Sequence, residues 1–182
     1  ADLIYINTTA VNLNLGTGGF HFVISKVGEN NFKDKKKLTN QEVTGQLGHI
    51  MKMRYTPLQI KTLALEEKEG EFHNQLQSYH LLDNIPVILL PLHSLLPPLL
   101  ISYKYFNKKS KILYIMTEEG SLALDWSETV ARLKKDNLLD ITITIGNSFG
   151  GDYEAVNIFT ALTAAKLLEV DMIVVGIGPG HV

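Results

Sequence analysis

Residues 141–168 read ITITIGNSFGGDYEAVNIFTALTAAKLL, and this stretch decides the fold. A β-branched run, Ile141 to Ile145, leads into a loop holding Gly146, Gly150 and Gly151. Beyond it, Ala155, Phe159, Leu162, Ala165 and Leu168 recur at helical spacing and predict a helix within 152–168. The same grammar runs outward in both directions. Val87 to Leu90, Ile112 to Met116 (ILYIM) and Met172 to Gly176 (MIVVG) are further apolar runs of strand length. Helical segments are expected at 95–106 and at 125–137, the second opened by Ser127 and Glu128. Strands buried on both faces and alternating with helices indicate a parallel sheet in a layered α/β domain with covering helices.

The N-terminal part reads differently. Leu3 to Asn7, Phe20 to Val27, Ile50 to Tyr55 and Leu58 to Leu65 are strand-like, with turn chemistry at Leu15 to Gly19 and at Pro57. The organisation expected is a smaller β-rich portion over 1–70, carrying an exposed polar loop at 28–46, and an α/β domain over 71–182. The chain opens on Ala1 and stops at Gly178-Pro179-Gly180-His181-Val182, directly after an apolar run. This suggests a segment of a longer protein whose last strand lacks a covering element.

Composition narrows the function classes. The 182 residues hold 17 Lys and Arg against 19 Asp and Glu, a formal charge of -2, so no electrostatic footprint for nucleic acid follows. With no cysteine there is no disulfide scaffold, thiolate metal site or cysteine nucleophile, which suits a reducing, cytoplasmic setting. The most apolar stretch, 85–101, approaches membrane-span length, but Pro86, Pro91, Pro97 and Pro98 divide it. Lipid cannot replace the donors that proline removes, so a strand, a loop and a helix start fit better than a span.

In open parallel sheets ligands collect beyond the carboxyl ends of the strands, so the loops there carry the candidate site. His93 and Ser94 follow the first run, Thr117 to Ser121 the second, Gly146 to Asp152 the third and Gly176 to His181 the fourth. His93 is either a buried structural histidine or an acid-base or ligand-binding group, since imidazole titrates near neutrality. Asp152 caps the next helix on the plainer reading. On the functional one, Asp152 and Glu154 are carboxylate partners in catalysis. Ser94, Thr117, Gly146, Gly150, Gly151, Gly178 and Gly180 are the ligand-binding candidates, the glycines through backbone amides.

Lys52 and Arg54 would share a strand face by alternation and form an anion patch. His73 and His80, seven apart on an expected helix, are too distant for joint metal ligation, and no metal site is assigned. The 176–180 glycines lack the spacing of a dinucleotide fingerprint, no HExxH, GxSxG or P-loop pattern occurs, and no cofactor is named by these residues.

Five strings in order, NTTAV at 7–11 with LGTGGFHFV at 15–23, GHIMKMRYTPLQ at 48–59, LHSLLPP at 92–98 and FGGDYEAVN at 149–157, resemble a bacterial family of proteins of unknown function. The resemblance covers essentially the whole chain and implies relatives that continue past both of its ends. It implies no activity. The resemblance implies that relatives often carry a Thr-Asp-Gly-Gly loop where this chain has Thr117-Glu118-Glu119-Gly120, and that many have histidine at Asn147. The expected function is therefore a cytoplasmic protein, an enzyme on the preferred reading, that binds a small polar or anionic metabolite at the strand-end crevice. The alternative is a non-catalytic sensor or assembly module using the same loops as an interface.

Overall fold

The computed structural model describes residues 3–14, 19–26, 47–78, 82–118 and 123–179. The loop expected at 28–46 lies outside the described residues, as do Gly120, Gly180 and His80. The chain divides into two units, 1–63 and 64–182.

In the first unit β1 (Ile4–Asn7) pairs antiparallel with β2 (Phe22–Lys26), and β3 (Ile50–Lys52) pairs antiparallel with β4 (Ile60–Thr62). A single helical turn, α1 (Thr9–Asn12), follows β1. Asn7 ties the two hairpins together. Its amide nitrogen donates to the carbonyls of Pro57 (3.0 Å) and Gln59 (2.9 Å), and its oxygen accepts from Gln59 Nε2 at 3.2 Å. The strands expected at 50–55 and 58–65 are shorter than their apolar patterns suggest. Met53 and Tyr55 adopt left-handed φ values of 49° and 61°, which no strand accommodates, so β3 ends at Lys52.

The second unit is a three-layer α/β domain. Its sheet has the order β5 (Val87–Leu90), β9 (Met172–Ile177), β6 (Ile112–Thr117), β7 (Ile141–Ile145), β8 (Tyr153–Ala155), and every pairing is parallel. Alternation along the inner strands sends successive side chains to opposite faces. Ile112, Tyr114 and Met116 of β6 pack with Leu96 and Leu100 of α3 (Leu96–Phe106) and with Val130 and Leu133 of α4 (Glu128–Lys135). Leu113 and Ile115 face the other way, onto Ala161, Ala164 and Ala165 of α5 (Ile158–Leu167) and onto Leu76 of α2 (His73–Ser78). Alanines at those positions let α5 lie close to the sheet. Pro97 and Pro98 fall in the first turn of α3, where an amide has no helix acceptor to lose.

Three expectations are corrected. The helix expected from Asp152 starts only at Ile158, capped by Asn157 Oδ1, which accepts from Thr160 N at 3.0 Å. Residues 153–155 instead form β8, and Ala155, the first residue of the expected helical stripe, is buried in the same cluster as the helix alanines. Residues 64–66 belong with this domain: Ala64 bridges Glu154, and Leu65 N donates to Glu154 O at 2.8 Å, so the segment lies along the outer edge of β8. The last strand is covered after all. β9 inserts between β5 and β6, with Met172 and Val174 in one cluster and Ile173 and Val175 in the other. The less covered strand is the edge strand β5, whose Leu89 is 74% exposed. Among the described residues no helix is long and apolar enough to cross a membrane.

Leu100→Ala, which empties a fully buried position against β6, should lower the unfolding free energy by about 2–5 kcal/mol in urea titration. Phe106→Ala, at an exposed position on the same helix, should change it by no more than about 0.5 kcal/mol. Equal losses would contradict this packing.

Candidate functional site

All five strands being parallel, their carboxyl ends share one edge of the sheet. His93 enters it from the 3-10 turn His93–Leu95 that follows β5. Its Nδ1 lies 3.1 Å from the hydroxyl of Tyr114, and its Nε2 lies 2.9 Å from Ser127 Oγ. The Tyr114 hydroxyl donates to the carbonyl of Ile177 at 2.8 Å, at the end of β9. A phenol has one proton to give. Once it is spent on Ile177, the Tyr114 oxygen can only accept, so Nδ1 carries the imidazole proton. Nε2 then holds a lone pair and accepts the Ser127 hydroxyl. Ser127 in turn caps α4, its Oγ accepting from Val130 N at 3.2 Å.

Burial holds this chain in one protonation state. Desolvation lowers the His93 pKa below its ordinary 6.5, the Ile177 carbonyl acting the other way, so the ring is neutral at pH 7. Burial also pushes the Tyr114 phenol far up, which keeps its proton in place. Ser127 lines a cavity of about 250 Å³ together with Leu124, Asp125, Lys134, Thr142 and Gly150.

The glycine-rich loop is a return path. Parallel neighbours usually need a crossover of about a dozen residues, yet residues 146–152 carry the chain from the end of β7 back to the start of β8. Gly146 has φ 59°, and a Cβ there would meet Glu118 Oε2 at 2.5 Å. That carboxylate oxygen accepts from Asn147 N at 3.1 Å and Asn147 Nδ2 at 3.2 Å. Gly150 N donates to Glu154 Oε1 (2.8 Å) and Gly151 N to Thr144 Oγ1 (3.1 Å). The loop amides offered to a ligand anion are thus engaged by the protein's own oxygens.

The other sequence candidates are placed as follows. Asp152 lies by Thr142, in the amino half of β7, and both residues that hold it, Thr142 and Lys134, line the cavity that Ser127 lines. It accepts from Thr142 N and Oγ1, each at 2.8 Å, and pairs with Lys134 Nζ at 2.6 Å. Glu154 Oε2 accepts from Thr144 Oγ1 at 2.7 Å. Both carboxylates attach β8 to β7. Thr117 donates to Gly176 O at 3.4 Å, and its carbonyl receives the Ser148 hydroxyl. Gly178 is buried over Met116, whose Sδ a Cβ would meet at 2.9 Å, and Ser94 is exposed. Lys52 and Arg54 do not share a strand face. β3 ends at Lys52, which is 0% exposed, whereas Arg54 is exposed in the turn beyond it. Among the described residues no three His, Asp or Glu side chains stand together as a metal site.

Sequence reading missed Tyr114 and Ser127. The hydroxyl of Tyr114 is the single polar side-chain group within ILYIM, a signal that a partner must sit nearby. Ser127 was legible only as a helix cap.

Comparison with protein families matches the whole chain, residues 1–182, to a family described as a protein of unknown function, DUF3866. The chain belongs to the DUF3866 family. No curated protein and no solved structure matches it. For this DUF3866 domain the chemistry must therefore be argued from the site itself.

Asp152 provides a test of the β7–β8 attachment. Burial alone would raise its pKa, but hydrogen bonds from Lys134 and Thr142 and the Lys134 charge outweigh that and hold it below the ordinary carboxylate value of 3.8. A folded-state pKa below the unfolded one contributes stability that is present above the unfolded value and lost as pH falls through the folded one. The stability gap between wild type and Asp152→Asn should therefore be constant near neutrality and shrink below about pH 4 in urea titrations. A gap independent of pH down to 3 would contradict the assignment.

Proposed function

We propose that this protein is a bacterial cytoplasmic enzyme that binds a small polar or anionic metabolite at the strand-end crevice, with His93 as its acid-base group. The observation that carries the reading is the one-directional hydrogen-bond chain from Ser127 through His93 and Tyr114 to Ile177. It holds a neutral imidazole with its Nε2 lone pair toward the cavity-lining Ser127. A base that is neutral at working pH and fixed in one tautomer is suited to taking a proton from a bound hydroxyl or water. A cavity of about 250 Å³ is of a size for a small molecule. Of the loop residues Gly150 lines the cavity, and ligand contact at the Asn147 amide requires a group able to replace Glu118 there.

A second reading has its own support. Trp126 is 74% exposed beside Ser127 in sequence, and Leu92 and Leu95, on either side of His93, are exposed as well. Apolar side chains on site loops also suit a protein interface.

A thermal-shift screen of polar and anionic metabolites on the full-length protein should return a compound that raises the melting temperature, because binding to the folded state alone stabilises it. That shift should be lost in His93→Ala. Retention of the full shift in a folded His93→Ala protein would exclude His93 from the site. Under the second reading, size-exclusion chromatography with light scattering returns an oligomer that Trp126→Asp dissociates, and a monomeric wild type removes that reading.

A further inference from the structure

The acid-base reading of His93 leaves open what proton it takes, and Ser127 answers that question. Its hydroxyl is the group nearest to Nε2, at 2.9 Å, within the range for proton transfer between a nucleophile and its base. The residue is only 5% exposed, yet it lines the cavity, whereas His93 is not among the residues that do. Of the pair, Ser127 is therefore the member in contact with the cavity. The base is itself held by a third group, the Tyr114 hydroxyl, on its far nitrogen. Nucleophile, base and orienting group in that order is the arrangement by which weakly nucleophilic hydroxyls are activated, and it is recognised by geometry rather than by sequence order. Ser127 has a further advantage from its place in the fold. Its Oγ already accepts the Val130 amide at the start of α4, where the helix dipole favours negative charge.

We propose that Ser127 is a nucleophile for acyl transfer, acting with His93 as its general base on a small carboxylic ester. The proposal rests on the strand-end site described above and names its substrate class. In the first step the Ser127 Oγ–acyl carbon bond forms and the hydroxyl proton passes to His93 Nε2. The ester's alkoxide leaves and takes that proton. In the second step water gives a proton to Nε2 and attacks the acyl carbon. The carboxylic acid departs, and the returned proton restores the Ser127 hydroxyl. Val130 N and Ala131 N are taken by Ser127 itself, so the first-turn amides of Glu128 and Thr129 are the backbone donors assigned to the oxyanion.

The test is covalent labelling of the full-length protein with an alkyl fluorophosphonate. Here the Oγ–phosphorus bond forms, the phosphorus–fluorine bond breaks and fluoride leaves, while the hydroxyl proton goes to His93. Intact mass and peptide mapping should show one phosphonyl group, on Ser127. Labelling should slow at least about 100-fold in His93→Ala, the usual range for loss of a general base. Ser127→Asn keeps a side chain able to cap α4 and should abolish labelling at this position with the fold retained by circular dichroism. A folded wild type that stays unlabelled, or carries the label on another residue, would overturn the proposal. So would labelling of Ser127 at an unchanged rate without His93. A metabolite that shifts wild type but not His93→Ala, together with an unlabelled Ser127, would leave the strand-end site standing and remove the nucleophile.

Discussion

Burial of β6 and β9 on both faces is the constraint from which the rest of the α/β domain follows. Each strand sends alternate side chains into two separate apolar clusters, so helices are required above and below, and the chain must cross from strand to strand in one direction. That requirement brings every strand-end loop to one edge. It also makes any polar atom inside the sheet costly unless it is paired. Tyr114 is such a case, being 1% exposed in the middle of β6. Its hydroxyl is satisfied by reaching to the ends of two neighbouring elements, the Ile177 carbonyl after β9 and the His93 ring after β5. The same event that solves a folding problem fixes the tautomer of His93.

The opposite economy governs the β7–β8 connection. A return too short for a helix leaves backbone amides without secondary-structure partners, and the protein supplies carboxylates and hydroxyls to them from its own strands. Glu118, Glu154 and Asp152 each accept from a backbone amide at or beside this turn. Groups that in isolation look like a ligand-binding set are the means by which the edge strand is held. The reactive geometry lies beside that turn, where the Ser127 cap and the His93 turn meet over the end of β6.

Much of this was legible in the sequence. The four apolar runs at 87–90, 112–116, 141–145 and 172–176 are all strands, and the parallel sheet follows from their alternation with helices. His93 could be singled out because an ionisable group in an apolar run needs a reason. Strand order could not be read, since nothing in MIVVG says that it inserts between the two earlier strands. β8 escaped because Ala155 satisfies helical and extended patterns equally. Pairing carried Asp152 to the amino half of β7, a register effect invisible to spacing. Ser127 and Tyr114 needed tertiary contact, at sequence separations of 34 and 21 from His93, before either could be given a role.

The central claim is that His93 is a neutral base with its proton on Nδ1 and its lone pair facing Ser127. Long-range ¹H–¹⁵N NMR of the imidazole, followed through a pH titration, reads both properties directly. The account predicts the Nδ1–H tautomer at pH 7 and an apparent pKa below the ordinary 6.5. An Nε2–H tautomer, or a ring that remains protonated above pH 6.5, would contradict it.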